Sequence, residues 1–201
     1  TGLWGEGLTS QAKRDQVYLN QIPTSHSQAD WKNLYTTIND ANLIIKHVPD
    51  ITFNDETLKN KVLANAYFVR AFCYYWIGRI WGDAPILLDG FESTKQNNLY
   101  PSRSSADSVF AQINRDIQSA QSLIPSSVND RSMASPAAIE MLKADYELWM
   151  YKVRNAGEIA LNAADEAIQN VLGNSNYTLE PDYSNVFNDN LGQEIIFAWT
   201  Y

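Results

Sequence analysis

The stretch from Phe91 to Tyr100 gathers side chains suited to recognising a polyhydroxylated ligand. Asn97 and Asn98 each carry two amide donors and a carbonyl acceptor, an inventory that matches neighbouring sugar hydroxyls. Tyr100 offers a flat ring that can stack on a pyranose face through its polarised C–H groups, and Phe91 is a second such surface. Asp83, shortly upstream, is a further candidate contact. Its setting in Gly82-Asp83-Ala84-Pro85 equally suits a helix stop, with Asp83 capping or bracing the adjoining loop. The same loop composition also describes a polar surface segment pinned to its neighbours by two aromatics.

Motifs for catalysis are missing. His26 and His47 stand far apart, without carboxylates or cysteines at metal-ligand spacing. The chain has no G-x-S-x-G elbow, no phosphate-cradling glycine loop and no H-E-x-x-H. The segment from Asp182 to Asp189 has acidic residues in a calcium-like rhythm. It lacks the glycine and terminal glutamate of an EF-hand loop, so a solvated, turn-rich segment is expected. No pair of carboxylates stands out as a glycosidase couple. The expectation is a binding protein without metal or cofactor.

Composition narrows the partners. Among 201 residues, 45% are apolar and 19% charged, which is globular usage, and a net charge of −8 disfavours both nucleic acid and anionic membrane surfaces. Tyr (11), Phe (7) and Trp (6) are plentiful, as in cores, interfaces and sugar platforms. The single cysteine, Cys73, cannot form an internal disulfide and reads as a small buried hydrophobe. With no initiating Met, signal peptide or lipidation cysteine, the sequence reads as a portion of a longer protein.

The elements that must position the loop are helical. A stripe of Trp31, Leu34, Tyr35, Ile38, Ala41, Asn42 and Ile45 predicts a helix over about 27–48. The next, about 54–81, is apolar on nearly every side and must be central. Its stripe is Leu58, Val62, Ala66, Val69, Cys73, Trp76, Ile77 and Ile80, and it encloses Arg70, which needs a carboxylate such as Asp116 or Asp145. A third helix opens at Ser104-Ser105-Ala106-Asp107, a capping-box spacing, with Val109, Ile113, Ile117, Ala120 and Leu123 facing inward. Ser135-Pro136 opens a fourth, with Ala138, Leu142, Tyr146 and Trp149. A fifth, about 157–172, carries Ala160, Ala164, Ala167, Ile168 and Val171 and stops at Gly173.

Pairing first with second and third with fourth gives hairpins of tetratricopeptide type, though the repeat of about 34 residues is not kept. The connection from Ile86 to Arg103 is long and unpatterned, which favours a functional or mobile loop. Trp4 and Tyr18 are possible anchors for an irregular start. Glu194-Ile195-Ile196-Phe197-Ala198-Trp199 reads as a terminal strand. The predicted class is therefore all-α, with tetratricopeptide-like helical hairpins, long irregular loops and a short C-terminal strand, in one domain over 1–201.

These residues together resemble the SusD/RagB family of nutrient-binding outer-membrane lipoproteins. Trp31-x-x-Leu34-Tyr35-x-x-Ile38-x-x-Ala41-Asn42 is similar to the family's opening helix. Ala66-Tyr67-Phe68-Val69-Arg70-Ala71-Phe72-x-Tyr74, leading to Trp81-Gly82-Asp83-Ala84-Pro85, resembles its most recognisable stretch. Arg103, then Val109-Phe110-x-x-Ile113-x-x-Asp116-Ile117-x-x-Ala120, then Ser135-Pro136-Ala137-Ala138 and Leu142-x-Ala144 follow in the family's order. Asp145-Tyr146-Glu147 departs from it, standing where basic and apolar residues are usual. The resemblance implies the N-terminal portion of a non-enzymatic glycan or peptide receptor. Such a receptor would be lipid-anchored on the outer membrane at the cell surface and deliver its ligand to a SusC-like TonB-dependent transporter. A helical-repeat scaffold for protein partners, without a small ligand, is the alternative.

Overall fold

The computed structural model describes residues 16, 19, 21–24, 26, 29–96, 99–187 and 192–198. Trp4, Tyr18, Asn97, Asn98 and Trp199 lie outside the described residues. By internal contacts the chain falls into two units, residues 1–36 and 37–201. In the first, Trp31 meets Tyr35 edge-on at 5.5 Å between ring centres. The Asp30 carboxylate there accepts from the Lys32 N–H at 2.8 Å.

The helices are α1 (Lys32–His47), α2 (Glu56–Trp81), α3 (Ala106–Leu123), α4 (Pro136–Lys152) and α5 (Glu158–Leu172). Each starts and stops for a local reason. Asp55 caps α2 by accepting the Thr57 N–H at 2.8 Å. Gly82, at φ 71° and ψ −104°, ends it in a conformation that side chains rarely adopt. Ser135 caps α4 through the Ala138 N–H at 3.1 Å, with Pro136 at the first helical position. The capping pair of α3 lies one residue later than its spacing predicts. Ser104 is tied to Ala84 in a two-bond antiparallel bridge, so Ser105 becomes the cap and accepts from the Ser108 N–H at 3.3 Å. Gly173 does end α5, but in the right-handed region at φ −74°, its N–H bonded to Gln169 O.

The hairpins pair differently from the sequence expectation. The closest associations are α2 with α3 and α4 with α5, whereas α3 touches α4 more lightly. The Ala84–Ser104 bridge explains this, because it returns the chain to the end of α2 before α3 begins. Contacts then run antiparallel, from Gly78 against Phe110 to Arg70 against Asp116. A β-carbon on Gly78 would sit 3.2 Å from Phe110 Cζ, so the absent side chain permits the close approach.

The core is Ile38, Ala64, Ala71, Tyr74, Tyr75 and Ile77 against Val109, Phe110, Ile113 and Ile117, continued by Ile139, Ala164 and Ala167. On α2 the sequence stripe overreaches: Leu58, Trp76 and Ile80 are exposed. Phe68, Tyr74 and Tyr75 are buried instead; Leu58 and Ile80 sit near the helix ends, while Trp76, between buried Tyr75 and Ile77, is on a side that is left partly open. Arg70 finds its carboxylate in Asp116, through contacts of 2.9 and 2.6 Å. Asp145 pairs instead with Arg79 at 3.2 Å.

The expected C-terminal strand does not form among the described residues. Residues 192–198 hold a turn, a bend and otherwise irregular backbone, and the only bridge among the described residues is Ala84–Ser104. The cause lies in what receives the apolar run. Phe197 stacks edge-on against Phe68 at 5.2 Å between centres. The backbone is held by Arg131, whose Nε donates to Ile195 O at 2.7 Å and whose carbonyl accepts from the Ala198 N–H at 2.9 Å. The segment therefore lies over α2 and α4, walling an apolar cavity of about 470 Å³ with Phe72, Trp76 and Met141. No helix among the described residues is long and apolar enough to cross a membrane.

Candidate functional site

The loop between α2 and α3 is closed at its neck and braced along its first half. Asp83 sits at the neck. Its Oδ1 accepts from the Ala106 N–H at 2.7 Å, satisfying one of the free amides at the start of α3, and its carbonyl accepts from Arg103 at 3.2 Å. Ala84 and Ser104 exchange bonds of 3.1 and 3.0 Å beside it. A long excursion whose ends are fixed together loses much of its conformational freedom.

Side chains of α1 and α2 then take the place of a missing strand. Asn39 bonds both backbone groups of Phe91, accepting its N–H at 2.6 Å and donating to its carbonyl at 3.4 Å. Asn42 donates to Leu87 O at 2.9 Å and Asp89 O at 3.4 Å. The Tyr74 hydroxyl accepts from the Leu87 N–H at 2.7 Å and donates to its carbonyl at 2.9 Å. Burial pushes that phenol up to about 12, so it remains a donor at neutral pH. Gly90 completes the docking by close approach, since a β-carbon there would fall 2.5 Å from Leu43 Cδ2 and 3.1 Å from its backbone nitrogen.

Beyond Gly90 the turn is organised by Gln96. Its Oε1 accepts from the N–H groups of Glu92 (2.5 Å) and Ser93 (3.0 Å), and its amide donates to Gly90 O at 3.2 Å. Glu92 reaches back to the end of α1, pairing with Lys46 and, at 2.7 Å, with His47 Nε2. Hydrogen bonds from these two partners hold the Glu92 carboxyl below its ordinary range.

The braced loop encloses a polar cavity of about 670 Å³ lined by Lys46, residues 86–89, Phe91, Gln96, Tyr100, Pro101, Ser102 and Ser104. Of the residues singled out from sequence, Phe91 and Tyr100 both reach this cavity. Tyr100 is 97% exposed, its ring open to solvent. Asp83 is not among the lining residues and is engaged in capping α3. The Lys46 ammonium, the Gln96 amide and the hydroxyls of Ser102 and Ser104 were missed by the sequence reading. For Gln96 the signal was its adjacency to Asn97-Asn98. For Lys46 there was none, because its loop partner is far away in sequence.

Chemically this is a wall of amide, hydroxyl and backbone groups with one ammonium (Lys46) and one carboxyl (Asp89), beside an exposed aromatic ring. The described residues contain no group of three or more His, Cys, Asp or Glu placed to hold a metal. The Cys73 thiol is buried in α2 and pushed up to about 12 by that burial, far from the thiolate a nucleophile needs.

Comparison with known proteins identifies the family of the chain. The sequence profile of a SusD-like family, described as starch-binding and associating with the outer membrane, matches residues 2–143. Two SusD-like proteins of Formosa agariphila, P2 and P25, are 32% and 29% identical over 174 residues each. Those alignments cover 81% and 84% of this chain but 31% of either relative. Among solved structures, Bacteroides fragilis NanU is 32% identical with a TM-score of 0.76, over 84% of this chain and 34% of that one. A SusD superfamily protein from Bacteroides vulgatus is 27% identical with a TM-score of 0.83, over 94% of this chain and 39% of that one. The chain thus spans about a third of the length of the relatives it matches. With the profile covering well over half of the sequence and the helices superposing on solved members, the chain belongs to the SusD-like family.

Proposed function

We propose that this chain is a single-domain N-terminal portion of a non-enzymatic glycan receptor. The receptor stands on the cell surface, anchored in the outer membrane by an N-terminal lipid, and passes its ligand to a SusC-like TonB-dependent transporter. Family membership over residues 2–143 carries the reading. The polar cavity beside Tyr100 supports it, because it offers several hydrogen-bonding groups and a stacking ring. Phe91 and Tyr100 are the proposed aromatic contacts, with Asn97 and Asn98 next to them in sequence. A direct ligand role for Asp83 has less support, since its carboxylate is committed to α3.

The test is native affinity electrophoresis of the full-length parent through gels containing different polysaccharides, with this fragment alongside. Retardation by a particular glycan supports the receptor and names its ligand class. If the fragment is also retarded, the loop around Tyr100 suffices; if only the parent is, the remaining two-thirds completes the site. No retardation in any gel, with co-purification of a SusC-like barrel, would replace this reading with a protein-binding scaffold.

A further inference from the structure

Asn42 stands where two polar systems meet. On one side lies the buried pair of Arg70 and Asp116, with side-chain exposures of 5% and 1%. On the other lies the backbone of the loop that walls the polar cavity. Arg70 donates to Asp116 through Nε and Nη2, and its Nη1 donates to Asn42 Oδ1 at 2.8 Å. The Asn42 amide nitrogen in turn donates to the carbonyls of Leu87 and Asp89.

We propose that Asn42 is a positioning residue for the ligand-binding loop, held in a single orientation by Arg70, so that the α2–α3 core sets the placement of the cavity wall. The inference deepens the receptor reading and rests on it for the word ligand. Chemistry forces the direction of the relay. A guanidinium has only donors, so the atom of Asn42 that faces Arg70 must be its oxygen. The amide nitrogen is thereby turned towards the loop, where it donates to the carbonyls of Asp89 and of Leu87, the latter also held by Tyr74. Asn42 itself is 1% exposed, so water cannot replace a lost partner without opening the packing. Asp116 is itself held in place, because it is buried and Gln112 also donates to its Oδ1 at 2.9 Å. Helix α3, which does not line the cavity, thus influences its wall through three side chains.

The discriminating variant is Asn42→Asp. It keeps the shape and the acceptor facing Arg70, but it sets a carboxylate oxygen against the carbonyls of Leu87 and Asp89. Amide hydrogen exchange followed by mass spectrometry on the full-length parent reads the result without any ligand. Exchange over 86–96 should accelerate about tenfold or more, while the middles of α2 and α3 stay within about twofold of the unaltered protein. Unchanged exchange in the loop would overturn the proposal, as would equal acceleration of loop and helices, which would mark Asn42 as a general core residue. If the carboxylate prevents folding, Asn42→Ala removes the donor without adding charge and is judged by the same ratio. The polysaccharide gels are run in parallel. A parent retarded by no glycan would remove the receptor reading while leaving the exchange result to decide whether Asn42 positions the loop.

Discussion

Two of the ion pairs that join elements far apart in sequence have surroundings that make them different devices. Arg70 and Asp116 link α2 to α3 with both side chains almost wholly buried, whereas Lys46 and Glu92 link α1 to the loop with 45% and 46% of theirs exposed. Burial lifts the Asp116 carboxyl above its usual range against the pull of Arg70 and Gln112. The attraction is strong there because water is excluded, and the same exclusion makes an orphaned partner very costly. At Glu92 water screens both the attraction and its loss. The buried pair fixes the helices; the exposed one trims the loop.

Removing one member of the buried pair should therefore have the largest effect. Asp116→Ala leaves the Arg70 guanidinium uncompensated and is expected to cost about 3–5 kcal/mol in urea unfolding. Replacing Arg70 and Asp116 together with Met and Leu should recover part of that loss. Recovery will be incomplete because Asn42 Oδ1 then loses its donor. A single Asp116→Ala cost below about 1 kcal/mol would place the pair in the same class as the exposed one and dissolve the contrast.

Next comes the hinge between the two regions, Gly82. A β-carbon there meets nothing within 4 Å, so any penalty for Gly82→Ala is conformational rather than steric. At φ 71° and ψ −104° that penalty is expected at about 1–3 kcal/mol. Gly90→Ala is the opposite case, at an open backbone angle but against Leu43. It should displace the loop from α1 and raise its exchange, while α2 and α3 keep their protection.

The helical part was more legible in the sequence than the site. A cap such as Ser135 acts through bonds within a few residues, so its type and spacing nearly suffice. Arg70 announced a buried carboxylate partner by its surroundings alone, and Asp116 was one of two named candidates. Hairpin pairing was not legible, because it depends on the Ala84–Ser104 bridge, which joins residues with no local signature. The apolar run Ile195-Ile196-Phe197 looks alike whether it pairs in a sheet or lies over helices, and periodicity cannot separate the two. Asn42 did carry a signal. An amide on an otherwise apolar stripe must find partners when buried, but its spacing cannot say that they are loop carbonyls.

At the cavity itself, Tyr100→Ala should leave the helical circular dichroism and the unfolding midpoint unchanged, because the ring is 97% exposed. If it stacks on ligand, affinity should fall about fivefold, the equivalent of roughly 1 kcal/mol for an aromatic contact. Isothermal titration with the glycan that retards the parent measures this. Equal affinity in the variant would retire Tyr100 and shift attention to Phe91 and the groups around Gln96.

The smallest effect belongs to the exposed pair, and its sign follows from the lowered Glu92 titration. A carboxylate depressed in the folded protein favours the docked loop at pH values above the ordinary glutamate value of 4.5. That contribution is lost as the pH falls below 4.5 and through the lower folded value, when the carboxyl is protonated and its bonds to Lys46 and His47 weaken. Backbone amide shifts of Phe91 and Glu92, followed by NMR from neutral pH down to about 3, should move in that window and be sensitive to salt. Glu92→Gln should abolish the movement and leave the urea midpoint of the helices where it was. A shift in that midpoint would mean that the exposed clasp supports the core after all, and the division between a buried pair that holds the fold and an exposed pair that trims the loop would have to be redrawn.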